Sequence, residues 1–256
     1  MKFTKKELEE ELRELKKRNW LNKDFNENEF IEKIINLEFT SPNREDVFNA
    51  FKLFEPKETK ILIIGQDPYP NPEKAQGLAF SCKKGKAASL TKIFKAVNIY
   101  KKNSTKNFDY DLTGWASKNK ICLLNSALTF EKSSLYKGKQ KKDLSKEQKK
   151  ELEKDQQRLQ EKHIEAWNSF ITYVIKKLIK ENKNLVVFLW GNKARKIFSE
   201  CNGDKIFKHK FETCHPQKRS KGENSNTFLD DAPNHFKVCD EFLGEDIWKN
   251  FPENNQ

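Results

Sequence analysis

Three unbroken apolar runs punctuate an otherwise polar chain: "KILIIG" at 60–65, "KICLLN" at 120–125 and "LVVFLW" at 185–190. Runs of this length without polar alternation suit strands covered on both faces. A fourth β-rich segment, "IFKHKFETC", follows at 206–214. Helical stretches separate the runs, and that alternation predicts an α/β fold: a single domain over 1–256 with a central four-stranded, mainly parallel sheet and helices on both faces. Upstream, residues about 1–55 read as a helical region. Thr4 and Glu7 stand at capping-box spacing before an apolar stripe of Leu8, Leu12 and Leu15, so 4–18 is expected as a surface helix. A second helix around "ENEFIEKIINLEF" places Phe30, Ile31, Ile34, Ile35 and Leu37 largely on one side. Between the second and third strands, about 131–162, lies a Lys-, Glu- and Gln-rich stretch with Leu144, Leu152 and Leu159 at near-heptad distances. It predicts a solvated helical insertion held to the domain by those leucines. The polar tail after Trp248 is expected to fray.

Composition adds a partner to this outline. With 36% hydrophobic residues in 256 the chain can build a core, and its net charge of +12 makes nucleic acid the first polyanion to consider. The N-terminal segment has no apolar core of the secretory kind and no later run reaches the length of a membrane span, so the expectation is a soluble, cytoplasmic monomer with no membrane partner. Five cysteines, Cys82, Cys122, Cys201, Cys214 and Cys239, are widely spaced, with no C-x-x-C pair and no His at zinc spacing. They read as buried thiols, supporting neither a structural metal nor an iron–sulfur cluster.

In open parallel sheets ligands gather at the carboxyl ends of the strands. Here those ends read "QDPYP", "NSALTF", "GNKA" and "HPQK", so Asp67, Asn125, Asn192 and His215 are expected to converge on one edge. Taken alone, "DPY" is a turn and a strand-end Asn or His is ordinary. Chemistry at all four ends is what makes a site.

With these segments in view, the chain resembles the uracil-DNA glycosylases that lack an iron–sulfur cluster. The resemblance rests on "SPNREDVFNAF" (41–51), "GQDPYP" with "GLAFS" (65–81), "ASL" (88–90), "GWA" with "LLNSALT" (114–129), "HIEAWNSF" (163–170), "FLWGNKA" (188–194), "HP" (215–216) and "NHF" (234–236), in the family's order. It implies hydrolysis of the bond between an extruded uracil and its sugar in DNA, by a monofunctional enzyme with no cofactor. Asp67 would lie beneath the sugar and orient the attacking water, and His215 would donate to the base oxygen that gathers charge. Asn125 would read the base through both ends of its carboxamide, Phe80 would stack on it, Tyr69 would block a C5-methyl, and Gln66 would help complete the anion site. Ser89, Gly191, Gln217, Lys218, Arg219 and Ser220 would hold the DNA backbone, giving salt-sensitive binding. A protein inhibitor that imitates DNA is a further conceivable partner.

The pattern departs from the family in three places. Pro70 stands where the family has a His, removing an imidazole near Asp67. The family's proline-rich loop is replaced by "KGKAASL". After His215 the family's Ser-Pro-Leu, with Leu as a wedge, becomes Gln217, Lys218 and Arg219, and "SKGENSNTFLDDAP" lengthens that loop. An Arg stacks and holds phosphate but plugs an apolar gap poorly. Two other readings therefore stay open: a DNA-binding scaffold with weak or no catalysis, and a glycosylase for a modified pyrimidine.

Overall fold

The computed structural model of the chain describes residues 1–103, 108–138, 141–201, 209–217 and 227–248. Four strands, β1 (Ile61–Gly65), β2 (Ile121–Asn125), β3 (Val186–Trp190) and β4 (Lys210–Thr213), form one sheet in the order β2-β1-β3-β4. All three pairings are parallel, so the sheet is parallel throughout. The three apolar runs are strands because both of their faces are covered: every residue of β1, β2 and β3 is buried. The fourth is shorter and half-exposed at the sheet edge, beginning at Lys210.

Among the described residues seven α-helices surround the sheet: α1 (Lys5–Lys17), α2 (Glu27–Ile35), α3 (Ala88–Lys101), α4 (Thr113–Asn119), α5 (Lys146–Glu181), α6 (Asn192–Glu200) and α7 (Phe228–Leu243). On one face Phe188 and Trp190 meet Phe236 of α7, with Trp248 behind them. Ile63 and Leu123 on that face look toward Leu90 and Ile93 of α3 and Trp115 of α4. The opposite face lies beneath an aromatic cluster in which Phe30 of α2, Trp167 and Phe170 of α5, Phe48 and Phe51 interlock at centroid distances of 5.2–6.3 Å.

Local signals set the helix starts. Thr4 caps α1 in a complete capping box with Glu7, and Leu8, Leu12 and Leu15 are buried as its apolar stripe. Ser145 does the same for α5 with Gln148. The segment expected to be helical from about 131 is helical from Lys146 onward, and there it runs without a break through "HIEAWNSF" to Glu181. Thr227 and Asp230 form a third capping box that starts α7, so Phe228 to Pro233 is helix where the sequence suggested loop. No helix among the described residues is long and apolar enough to cross a membrane.

The strand order creates one switch point. From β1 the chain leaves toward β2, and from β3 it leaves toward β4 on the other side. The crevice between the carboxyl ends of β1 and β3 is where such a sheet opens a binding site.

Candidate active site

The site is assembled from the exits of β1 and β2 as a single unit. Gly65 pairs with Asn125 in register, and beyond the strands the backbone of Ser126 donates to Gly65 O (3.0 Å) and that of Ala127 to Gln66 O (3.1 Å). The turn carrying Asp67 is thereby tied to the turn carrying Asn125. A Cβ on Gly65 would overlap Oδ1 of Asn125 and come within 2.9 Å of the Ala79 Cβ. The missing side chain is what makes room for the carboxamide, which is 95% buried at 5% exposure and so must find its partners inside the crevice.

Tyr69 and Phe80 are locked to one another. Ser41 Oγ donates to Tyr69 O (2.5 Å), and the Tyr69 hydroxyl donates to Phe80 O (2.8 Å). Burial pushes the phenol's pKa upward, so it stays protonated and remains a donor. Phe80 adopts φ 64°, the left-handed region that a bulky side chain occupies only when its surroundings compel it. Its ring meets Trp190 edge-on at 5.2 Å and lies tilted 6.3 Å from the His215 ring.

His215 leaves the end of β4 against Gly191. Gly191 sits at φ 99°, and a Cβ there would come within 3.2 Å of the His215 Cβ, so glycine permits both the turn and the close approach of the histidine. Burial and the nearby Lys92 charge hold the imidazole pKa below its usual value, keeping the ring neutral at pH 7. The backbone N–H of Gln217 donates to Nδ1 at 3.2 Å. Because a backbone N–H can only donate, the ring proton resides on Nε2.

Asp67 is the acid of the site. Burial raises its pKa from 3.8 to about 6, against the opposing effects of a hydrogen bond from Gln160 and the Lys193 charge. A carboxyl poised there is mostly ionised at pH 7 and still able to take a proton.

These groups face one cleft of about 390 Å³. Gln66, Asp67, Tyr69 and Phe80 line it from the β1 side, with Asn125, Ser89, His215 and Gln217 across from them. Gly191 backs His215 and is not among the lining residues. Asn192, expected on the same edge, is instead exposed at the start of α6, where its Oδ1 accepts from Arg195. Lys218, Arg219 and Ser220 lie outside the described residues. A larger open groove of about 850 Å³ beside α1 is lined by charges of both signs, Glu7, Glu10, Glu11 and Glu14 standing with Arg13, Arg18, Arg44 and Lys52.

Two cleft residues come from the stretch read as a solvated insertion. Gln156 and Gln160 of α5 line the cleft, and Gln160 touches Asp67 directly. The leucine anchors are as expected in part, Leu144 and Leu159 being buried and Leu152 half-buried. The correction is that one face of this helix belongs to the site. The i,i+4 spacing of the two glutamines beside Leu159 is the single trace of this in the sequence, and glutamines abound there. Among the described residues no group of three or more His, Cys, Asp or Glu is arranged to hold a metal ion.

The family model of the uracil DNA glycosylase superfamily matches residues 51–241. A uracil-DNA glycosylase of Idiomarina loihiensis is 32% identical over 206 residues, covering 79% of this chain and 80% of its own. One from Francisella tularensis subsp. tularensis is 34% identical over 209 residues, covering 80% and 79%. Among solved structures, the wild-type UNG of Nitratifractor salsuginis superposes with a TM-score of 0.55 at 20% identity over 96% of this chain and 98% of its own. The mimivirus UNG Y322F in complex with UGI gives a TM-score of 0.61 at 19% identity over 93% and 84%. At those identities the structural likeness concerns the fold.

Proposed function

The chain belongs to the uracil DNA glycosylase superfamily, and from that premise we propose that it hydrolyses the N-glycosidic bond of uracil in DNA, releasing the base and leaving an abasic site. The observation that carries this reading is the meeting of Asp67, His215, Asn125, Tyr69 and Phe80 around one cleft at the strand ends.

An extruded uracil stacks on Phe80, and the Asn125 carboxamide pairs with it through one donor and one acceptor, a pattern that cytosine mismatches. The Tyr69 ring occupies the space a thymine methyl would need. As the bond between C1′ and the base nitrogen breaks, its electron pair leaves with the base and the sugar becomes cationic. The ionised Asp67 stabilises that cation, and water attacks C1′ while Asp67 accepts its proton. The neutral His215 donates from Nε2 to the base oxygen that gathers negative charge, and Gln66 supports the same anion. No step calls for a cofactor.

Ser89 and Gln217 of the cleft lining, with the cationic Lys218 and Arg219 that follow Gln217 in sequence, supply backbone contacts that carry no sequence information. Binding therefore weakens as salt rises. An acidic protein that imitates DNA would compete for the same residues.

The test is base release from single- and double-stranded oligonucleotides carrying one uracil, with thymine and cytosine controls, for the native protein and Asp67→Asn. Uracil release that collapses in the variant is expected. Salt-sensitive binding with no release from either substrate would overturn the proposal in favour of a DNA-binding scaffold.

A further inference from the structure

Among the described residues no group of its own turn is hydrogen-bonded to the Asp67 carboxylate, and Pro68 and Pro70 have no backbone N–H to offer it. The donor comes from far away in sequence. Gln160 Nε2 lies 2.5 Å from Asp67 Oδ2 across a separation of 93 residues, and among the described residues it makes the one side-chain hydrogen bond to that carboxylate.

The helix that carries Gln160 is clamped one turn earlier. Gln156 accepts from Ser133 N (3.0 Å) and donates to Glu131 O (2.9 Å), so its amide is occupied at both ends. Ser133 Oγ donates to Asp155 Oδ2 (2.5 Å), and Leu159 beside Gln160 is buried. The strand β2 exit loop and α5 thus form one piece, with Gln160 aimed from it into the cleft. An ionised carboxylate accepts only, so the amide must present its N–H to it.

Resting on the glycosylase reading, we propose that Gln160 is a positioning residue for the reaction: its amide holds Oδ2 of Asp67, leaving the other carboxylate oxygen to receive the attacking water. A charge-assisted bond of this kind also favours the ionised acid. A neutral amide does so without adding a second charge beside the cationic sugar.

The experiment compares Gln160→Leu and Gln160→Lys with the native protein and Asp67→Asn, measuring single-turnover uracil release from pH 5 to 9, binding of uracil DNA and thermal stability. For Gln160→Leu the release rate at pH 7 is expected to fall about tenfold or more, with the acid limb moved to higher pH and the deficit smaller at pH 9. Binding should change little, and the melting temperature should fall modestly at pH 7 but not near pH 4, because the donor is missed only where the carboxylate is ionised. Gln160→Lys should move the acid limb to lower pH, an opposite sign that a packing role would not produce. Side-chain carboxyl NMR of Asp67 provides a readout independent of turnover, and its titration midpoint should rise in Gln160→Leu. Native rates and pH profiles in both variants, with Asp67→Asn inactive, would overturn the role of Gln160 and leave the glycosylase reading standing. No release by the native protein would overturn that reading and the proposal with it. The NMR midpoint would then show whether the Gln160 contact itself is formed.

Discussion

The backbone N–H of Gln217 points at Nδ1 of His215 from 3.2 Å, and so leaves Nε2 as the nitrogen that carries the proton. Two residues after a strand end, a main-chain group decides what the side chain can do. Since burial and Lys92 also keep the ring neutral, His215 is a hydrogen-bond donor at neutral pH without being a cation.

His215→Leu removes that donor at similar volume. Uracil release should fall by roughly 10²–10³-fold, the usual effect of losing one donor to a developing oxyanion. The folded pKa lies below the unfolded value of 6.5, so the buried neutral ring contributes stability above pH 6.5 that is lost as pH falls through the depressed folded value. Melting curves at pH 7.5 and pH 5 should therefore show the native protein losing ground to the variant on acidification. An unchanged gap between the two would contradict the burial of a neutral ring.

Asp67→Asn should abolish release while making the fold more stable at pH 7. The carboxyl's folded pKa of about 6 lies above 3.8, so its contribution is fully favourable below pH 3.8 and is lost as pH rises through 6. At pH 7 the ionised group costs up to about 3 kcal/mol. The variant's gain in melting temperature should shrink toward pH 4. A variant less stable than the native protein at pH 7 would show that the acid is not held against its own hydration.

Gly65→Ala tests the space taken by Asn125. The new Cβ would meet the carboxamide oxygen and Ala79 at once, so overpacking should cost about 1–3 kcal/mol. Uracil release should drop steeply because Asn125 must turn away. Denaturant unfolding beside the release assay separates the two effects, and native activity in a destabilised variant would remove Asn125 from base reading.

Tyr69 can be altered at its hydroxyl or at its ring. Tyr69→Phe retains the ring but leaves the Phe80 carbonyl without its donor at a backbone position with φ 64°, for an expected loss of about 1–3 kcal/mol. Its preference for uracil should survive. Tyr69→Ala should release thymine above background, because the space for a methyl opens. Competition between uracil and thymine oligonucleotides measures both, and thymine release by the Phe variant alone would reverse the assignment.

Much of this protein was decided locally and could be read from the chain. β1, β2 and β3 are continuous apolar runs because both faces of each are covered, and Thr4 with Glu7 announced the start of α1 because a capping box needs only neighbours in sequence. The convergence of Asp67, Asn125 and His215 followed from their places at strand ends, since parallel strands put all those ends on one edge. Asn192 shared that position but became the first residue of α6 and faces solvent, because a helix begun directly after Gly191 turns it outward. Only tertiary structure brought Gln160 to Asp67, set the absent side chain of Gly65 beside Asn125, and gave His215 its tautomer. The first joins residues 93 apart, the second is a volume shared between two strands, and the third is the direction of one N–H in a turn. Each depends on distances that residue identity and spacing do not encode. Binary pattern and capping choose elements; packing chooses which of their side chains meet.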